Sequence, residues 1–319
     1  MMDGINRRGF LALSAVSTGA LIAGSAHSAP FKTSLRKALI RGLPEAKAME
    51  ELRAAGFEGM ECVQWAAKPQ EAEAARKIAD AAGIRVHSVL RGWCNVNSED
   101  PAAVAADIES MKTALQTAQI LGADAVLLVP CRVDGGPAPW DIQYTYDETT
   151  LHVSKVVAGD NSPHEAYIKA QNRATDTTRK AVGALIQEAE NRGVVIALEN
   201  VWNNLWSKPD FFADVVRSFK SPWVKAYLDL GNHVKYAPTP EWIRALGDQI
   251  AKCHVKDFKL KPNGQGGDFV DIRDGSNVWP DVRQALDAVG YNGWMTIEGS
   301  DGLSIDEQSQ RLDMIIAGT

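Results

Sequence analysis

The sequence predicts an α/β fold, a closed (β/α)8 barrel over residues 34–319, and three features carry that expectation. From residue 34 onward, short apolar runs alternate with charged helical segments as far as the C-terminus. The runs are continuous rather than alternating in polarity, as expected of parallel strands covered on both faces. Eight such units in roughly 290 residues suit a closed barrel better than an open doubly wound sheet. The Gly-rich turn that opens a dinucleotide-binding sheet is missing after the first strand, where IRGLPEAK stands.

RKALI (36–40) is the first strand, and a helix from Pro44 to Ala55 follows. GMECV (59–63) leads to a helix from Pro69 to Ala82, and RVHSVL (85–90) to a helix from Pro101 to Leu121. AVLLVP (125–130) is the fourth strand; a long connection and a helix ending near Arg192 bring the chain to VVIALEN (194–200). A helix from Pro209 to Phe219 precedes VKAYLDL (224–230), and a short helix from Pro240 to Leu246 precedes IAKCHVKD (250–257). Finally a helix from Val278 to Val289 leads to WMTIEG (294–299), and a helix from Ile305 to Ile316 closes the chain. Proline opens many of these helices because the first N–H has no intrahelical partner to lose, and Ala-Gly or Leu-Gly pairs end several of them. Two insertions break the rhythm, Cys131–Pro163 with Trp140, Tyr144 and Tyr146, and Asp257–Asn277. Both follow strands, which in a barrel assigns them to the C-terminal face where active sites are built.

With 45% hydrophobic and 23% charged residues, the composition is that of a globular chain with enough material for a large core. The net charge of -6 and the lack of a basic patch exclude nucleic acid as an expected partner. Asn6-Arg7-Arg8-Gly9-Phe10-Leu11 stands before a charge-free, weakly apolar run, so residues 1–29 read as a twin-arginine (Tat) signal peptide. Cleavage is expected between Ala26 and Ala29, the Tat export machinery is an expected partner and the periplasm the expected location. The run is interrupted by Ser, Thr and Gly and makes a poor permanent span, an uncleaved anchor being the alternative. Cys62, Cys94, Cys131 and Cys253 lack C-x-x-C spacing and are too few for a disulfide scaffold. Buried free thiols and a single disulfide are both open.

Four consecutive strands end in a chemically similar way: Glu199-Asn200, Asp229, His254 and Glu298. In a barrel those tips meet at one mouth, where three carboxylates would repel one another without a cation. Any one of them alone reads as a helix cap or a solvent contact, and His254 alone as a satisfied core histidine. Together, and in phase with the barrel, they read as ligands of one divalent metal ion, Mn²⁺ first, with Mg²⁺, Co²⁺ or Zn²⁺ as alternatives.

ALEN, YLDLGN, CHVKD and TIEG together give the chain a resemblance that runs over essentially all of residues 34–319. It resembles the xylose isomerase-like TIM barrel superfamily, in the sugar phosphate isomerase/epimerase branch that includes ketose 3-epimerases and inosose dehydratases. The resemblance implies that Glu199, Asp229, His254 and Glu298 hold one metal that grips adjacent sugar oxygens, with the two glutamates flanking the substrate carbon. A metal on the carbonyl and hydroxyl oxygens would stabilise an ene-diolate, and Glu199 and Glu298 would remove and return the proton. Two positions depart from the ketose epimerases of the branch. Asn232, followed by His233, stands where they often carry a histidine, and Leu205 where they tend to carry a glutamate. The HVKD stretch is closer to the dehydratases and general isomerases. Lys256 is expected to stabilise an oxyanion or protonate a leaving group, and Asp257 to orient His254.

Other residues of the mouth are candidates for substrate contact. Glu61 reads either as a partner of sugar hydroxyls or as a structural ion pair, Arg132 as a partner of an anionic or polyol group, and His87 as a core or supporting residue. Asn232, His233 and Trp202 complete the expected substrate-binding set. Trp65, Trp93, Trp202 and Trp206 fall after strands two, three and five, which suits a surface for sugar C–H faces and a ligand the size of a glycoside, and equally suits ordinary burial. The expected function is a metal-dependent isomerase or epimerase of a non-phosphorylated sugar or keto-sugar, since exported proteins rarely meet phosphorylated sugars. The alternatives are a lyase eliminating water or an aglycone from an inosose or 3-keto-glycoside, and a non-enzymatic periplasmic sugar-binding barrel. A phosphoesterase would want more histidines than the single one at a strand tip. A homodimer is left open.

Overall fold

A computed structural model describes residues 31–136 and 138–319, so the expected export signal lies outside the described residues. The strands, in chain order, are β1 (Arg36–Arg41), β2 (Gly59–Cys62), β3 (Arg85–Trp93), β4 (Ala125–Val129), β5 (Thr145–Tyr146), β6 (Val153–Lys155), β7 (Val195–Glu199), β8 (Val224–Asp229), β9 (Ile250–Val255), β10 (Asp257–Leu260), β11 (Gly267–Val270) and β12 (Trp294–Ile297). Eight of them close a parallel barrel in the order β1-β2-β3-β4-β7-β8-β9-β12, with β12 pairing back to β1. The helices are α1 (Ala46–Ala54), α2 (Pro69–Ala82), α3 (Pro101–Leu121), α4 (Glu165–Gly183), α5 (Ile186–Arg192), α6 (Pro209–Ser218), α7 (Thr239–Leu246), α8 (Trp279–Ala288) and α9 (Ile305–Ala317). The fold is the expected (β/α)8 TIM barrel.

Two features depart from a plain eight-fold repeat. The fourth unit carries two helices, α4 and α5, because the first breaks after Gly183 and the chain restarts at Ile186. Each long insertion folds an antiparallel hairpin of its own, β5–β6 in the first and β10–β11 in the second. Helix starts follow local chemistry: Asp100 accepts from Ala102 N ahead of Pro101, and Ser304 and Glu307 form a reciprocal capping box. Such a cap contributes about 1 kcal/mol. At the end of α3, Gly122 takes the left-handed φ of 78° that closes the helix.

Strand alternation decides what faces inward. Leu198, Leu228, Cys253 and Ile297 pack outward into the main core with helix residues such as Phe211, Phe212 and Trp242. Each fully buried phenylalanine there contributes about 1.5–3 kcal/mol. The intervening residues Ala197, Tyr227, Lys252 and Thr296 turn inward, where Leu127, Val129, Ala197 and Tyr227 form a separate apolar cluster. The same period carries Glu199, Asp229, His254 and Glu298 to the inner rim. All four cysteines are buried and free. No helix among the described residues is long and apolar enough to cross a membrane.

Candidate metal centre

The four tips converge. One ligand atom from each of Glu199, Asp229, His254 and Glu298 lies within 4.8 Å of the others. Strand register prepares this, since Asp229 pairs directly with His254 across β8 and β9. Asn200 locks the neighbouring tip: its Oδ1 accepts from Asp229 N at 2.7 Å and its Nδ2 donates to Asp229 O at 2.9 Å. The amide thus extends the β7–β8 pairing beyond the last strand residue. Asp229 is then fixed by Gly231 N and Asn232 N, which donate to Oδ1 at 2.7 and 2.6 Å. Gly231 is needed for this turn, because a Cβ there would stand 2.7 Å from the carbonyl of Lys256.

The imidazole of His254 is held from behind. Its Nε2 lies 2.6 Å from Glu61 Oε2, while Nδ1 faces Glu199 Oε1 at 3.2 Å and Glu298 Oε2 at 3.1 Å. Glu61 is anchored in turn by the Ser88 hydroxyl at 2.9 Å. A buried carboxylate that accepts a hydrogen bond from Nε2–H leaves Nδ1 as the unprotonated nitrogen turned to the centre, the tautomer a metal requires. Lys256 closes the other side, with Nζ 2.8 Å from Glu298 Oε2 and 3.6 Å from Asp229 Oδ2.

Proton affinities follow from this crowding. Burial raises Glu199, with His254 offsetting part of the effect, and pushes Asp229 up to about 7. Burial also works against ionised Glu298, yet His254 and Lys256 hold it well below the usual carboxylate range. His254 is pushed upward although burial opposes its charge, because Tyr227, Glu61 and Glu298 surround it. Lys256 likewise rises against burial through Asp229 and Glu298, so it carries its charge at neutral pH. The residues fit a divalent cation. Asp229 Oδ2 is buried with no hydrogen bond, and no donor is aligned on Glu298 Oε2 despite its close neighbours. Three carboxylates and one imidazole nitrogen aimed at one space form a hard oxygen–nitrogen donor set that suits Mn²⁺, Mg²⁺, Co²⁺ or Zn²⁺.

Several expected roles do not match the placement. Of the two readings of Glu61, the structure has the ion pair: its carboxylate has no exposed surface and lies behind His254 rather than at the mouth. Asp257 does not orient His254: its carboxylate accepts from Phe258 N, Arg273 N, Gly275 N and the Trp279 indole and so ties down the β10–β11 insertion. His233 is buried with Nε2 on Val201 O at 2.9 Å and its ring against Trp242, and burial lowers it to about 3, so it is a neutral packing residue. Asn232 is also buried, donating to Asn200 O at 3.1 Å. Trp206 is core, its indole on Thr175 Oγ1. His87, by contrast, is the core residue the sequence suggests, in the buried interior on Thr296 and Trp294.

Other candidates stay at the mouth. Trp202, half-buried, donates its indole N–H to Asn232 O. Arg132 is exposed, donating to Trp202 O at 2.9 Å with its guanidinium 4.7 Å from the Trp93 ring. A surface cavity of about 630 Å³ lies elsewhere, between the first hairpin and α6–α7; Tyr144, Tyr146 and Lys208 along it are already hydrogen-bonded. Glu61 as the partner of His254 was the main omission of sequence reasoning. Its one signal is its position in phase on β2, which does not say which strand it would meet.

Solved structures with this fold include a 3-keto-D-glucoside 4-epimerase from E. coli, with a TM-score of 0.66 at 12% identity over 89% of this chain and 100% of that one. An IolI protein with a bound zinc atom gives a TM-score of 0.66 at 16% identity over 89% and 98% of the two chains. A D-psicose 3-epimerase with D-tagatose from Clostridium cellulolyticum H10 gives 0.62 at 17% identity over 88% and 98%. At these identities the likeness is one of fold. No curated protein matches the sequence. The sequence profile of one family matches residues 49–314, and with the closed parallel barrel it settles the family: the chain belongs to the xylose isomerase-like TIM barrel family.

Proposed function

We propose that the protein is a divalent-metal-dependent isomerase or epimerase of a non-phosphorylated sugar or keto-sugar, exported by the Tat pathway to the periplasm. The observation that carries the reading is the convergence of Glu199, Asp229, His254 and Glu298, with Asp229 Oδ2 buried and without a hydrogen bond. The activities for which the 3-keto-glucoside and psicose epimerases are named support the sugar class, and the twin arginines at Arg7-Arg8 support export. When bound, a divalent ion supplies positive charge against which negative charge on adjacent substrate oxygens develops.

The chain's own groups do the rest. Glu199 and Glu298 accept and return the proton at the carbon next to the substrate carbonyl, Glu199 being the carboxylate whose burial favours holding a proton. Lys256 adds a fixed ammonium beside Glu298. Asn200 and Glu61 keep Asp229 and His254 in place. Lys256 also supports a second reading, elimination from an inosose or 3-keto-glycoside, because a charged donor beside the base can protonate a departing oxygen. The test is Mn²⁺-loaded protein with D-fructose, other keto-sugars and 3-keto-glycosides in D₂O. Deuterium at the α-carbon is expected, and its loss in Glu199→Gln and Glu298→Gln. Metal-loaded protein that exchanges no α-proton in any of these substrates rules the mechanism out. Released water or aglycone identifies elimination instead.

A further inference from the structure

Beside the metal centre the two insertions meet around one lysine. Lys235 Nζ sits 3.5 Å from the ring centroid of Trp202, 4.7 Å from that of Tyr236 and 5.1 Å from that of Trp140. Trp140 comes from the first insertion, and the end of its ring lies 3.9 Å from where a side chain on Gly266, in the second, would begin. Phe269, on β11, bridges to the centre: its centroid is 5.1 Å from that of Trp202 and 5.1 Å from Lys256 Nζ. Trp140 and Phe269 are 41% and 46% exposed, so apolar ring surface is open to a ligand next to Lys235 and between Trp202 and the centre.

Among the described residues, no hydrogen bond or carboxylate takes up this ammonium, and burial alone lowers its proton affinity, to about 8. Aromatic faces hold a cation without neutralising it, whereas an ion pair would cancel its charge. Arg132, beside the same Trp202, is also held by an aromatic face and lacks a carboxylate partner among the described residues. A chain of net charge -6 thus keeps uncompensated cations at one rim of the mouth. Partly desolvated positive charge next to open ring surface suits an anion attached to an apolar sugar face.

We propose that Lys235 receives a carboxylate on the end of the substrate away from its carbonyl, so that the substrate is an acidic sugar whose C–H face rests on Trp140 and Phe269. The inference rests on the sugar-isomerase reading and narrows it. A single ammonium favours a carboxylate over a phosphate, which draws several donors. The test is calorimetric titration of the Mn²⁺-loaded full chain with D-glucuronate, D-glucose and D-glucose 6-phosphate. Wild type is expected to bind D-glucuronate about ten- to a hundredfold more tightly than D-glucose. Lys235→Met, which keeps the aliphatic stem against the rings, is expected to bring D-glucuronate down to the affinity of D-glucose, and Lys235→Arg to retain much of the preference.

Wild type without a preference for D-glucuronate, or a preference that survives Lys235→Met, overturns the assignment. Tighter binding of the phosphate than of the carboxylate overturns the choice of anion. Exchange of α-protons in D-fructose without any charge preference removes this inference and leaves the proposed function standing. A Lys235-dependent preference without exchange in any substrate supports the subsite and removes the isomerase reading.

Discussion

Replacing Glu61 separates its role from that of an ordinary buried charge. In the native arrangement its carboxylate accepts hydrogen bonds from His254 Nε2 at 2.6 Å and from Ser88 Oγ at 2.9 Å, with no exposed surface. Glu61→Gln can still accept from Nε2–H while its amide donates to Ser88, so the tautomer survives and only the charge is lost. Glu61→Leu leaves Nε2–H buried without a partner, at a cost of about 1–3 kcal/mol. The expected fall in Mn²⁺ affinity is therefore about tenfold for Glu61→Gln and about a hundredfold for Glu61→Leu. The assay is calorimetric titration of EDTA-stripped protein, with circular dichroism to confirm the fold. Native affinity in a folded Glu61→Leu variant would refute the claim that Glu61 presents Nδ1 of His254 to the centre.

Three further outcomes follow from the same geometry. Lys256→Met removes an ammonium that occupies Glu298 and Asp229, so Mn²⁺ binding is expected to tighten by about tenfold while α-proton exchange slows; weaker metal binding contradicts this. Asp257→Ala strips the β10–β11 insertion of its anchor, costing about 3 kcal/mol and speeding hydrogen exchange over residues 257–277, with Mn²⁺ affinity unchanged; a large loss of affinity would restore Asp257 as a partner of the centre. In metal-free protein the folded Asp229 takes up its proton near pH 7, against about 3.9 in the unfolded chain. The folded state then binds more protons, so this stability is present below about pH 4 and lost as pH rises to about 7, at up to about 1.4 kcal/mol per unit. Glu298, held low, loses its own contribution only as pH falls below the ordinary carboxylate range, so it does not oppose the trend between pH 5 and 7. The melting midpoint in EDTA should fall over that interval, and Mn²⁺ should flatten the slope; a rising midpoint contradicts the assignment.

The barrel, the strand that carries each candidate ligand and the face on which they gather are all legible along the chain. Continuous apolar runs such as AVLLV require burial on both sides, and a period of two turns Glu199, Asp229, His254 and Glu298 the same way at the ends of adjacent strands. These are local rules, readable along the chain. The break between α4 and α5 and the two hairpins were not readable in this way, because Gly183 permits a stop without requiring one and both hairpins lie in segments without regular hydrophobic periodicity. Which residues support the centre depends instead on how the barrel closes. Glu61 meets His254 across 193 residues, on strands that are not neighbours in the barrel, and Asp257, adjacent in sequence to the centre, turns away to anchor a loop. Lys235 gains its surroundings from Trp140 and Trp202, two rings that come together only when the loops fold over one rim. The pattern along a strand says which way a side chain points, and the closure of the barrel says what it meets there.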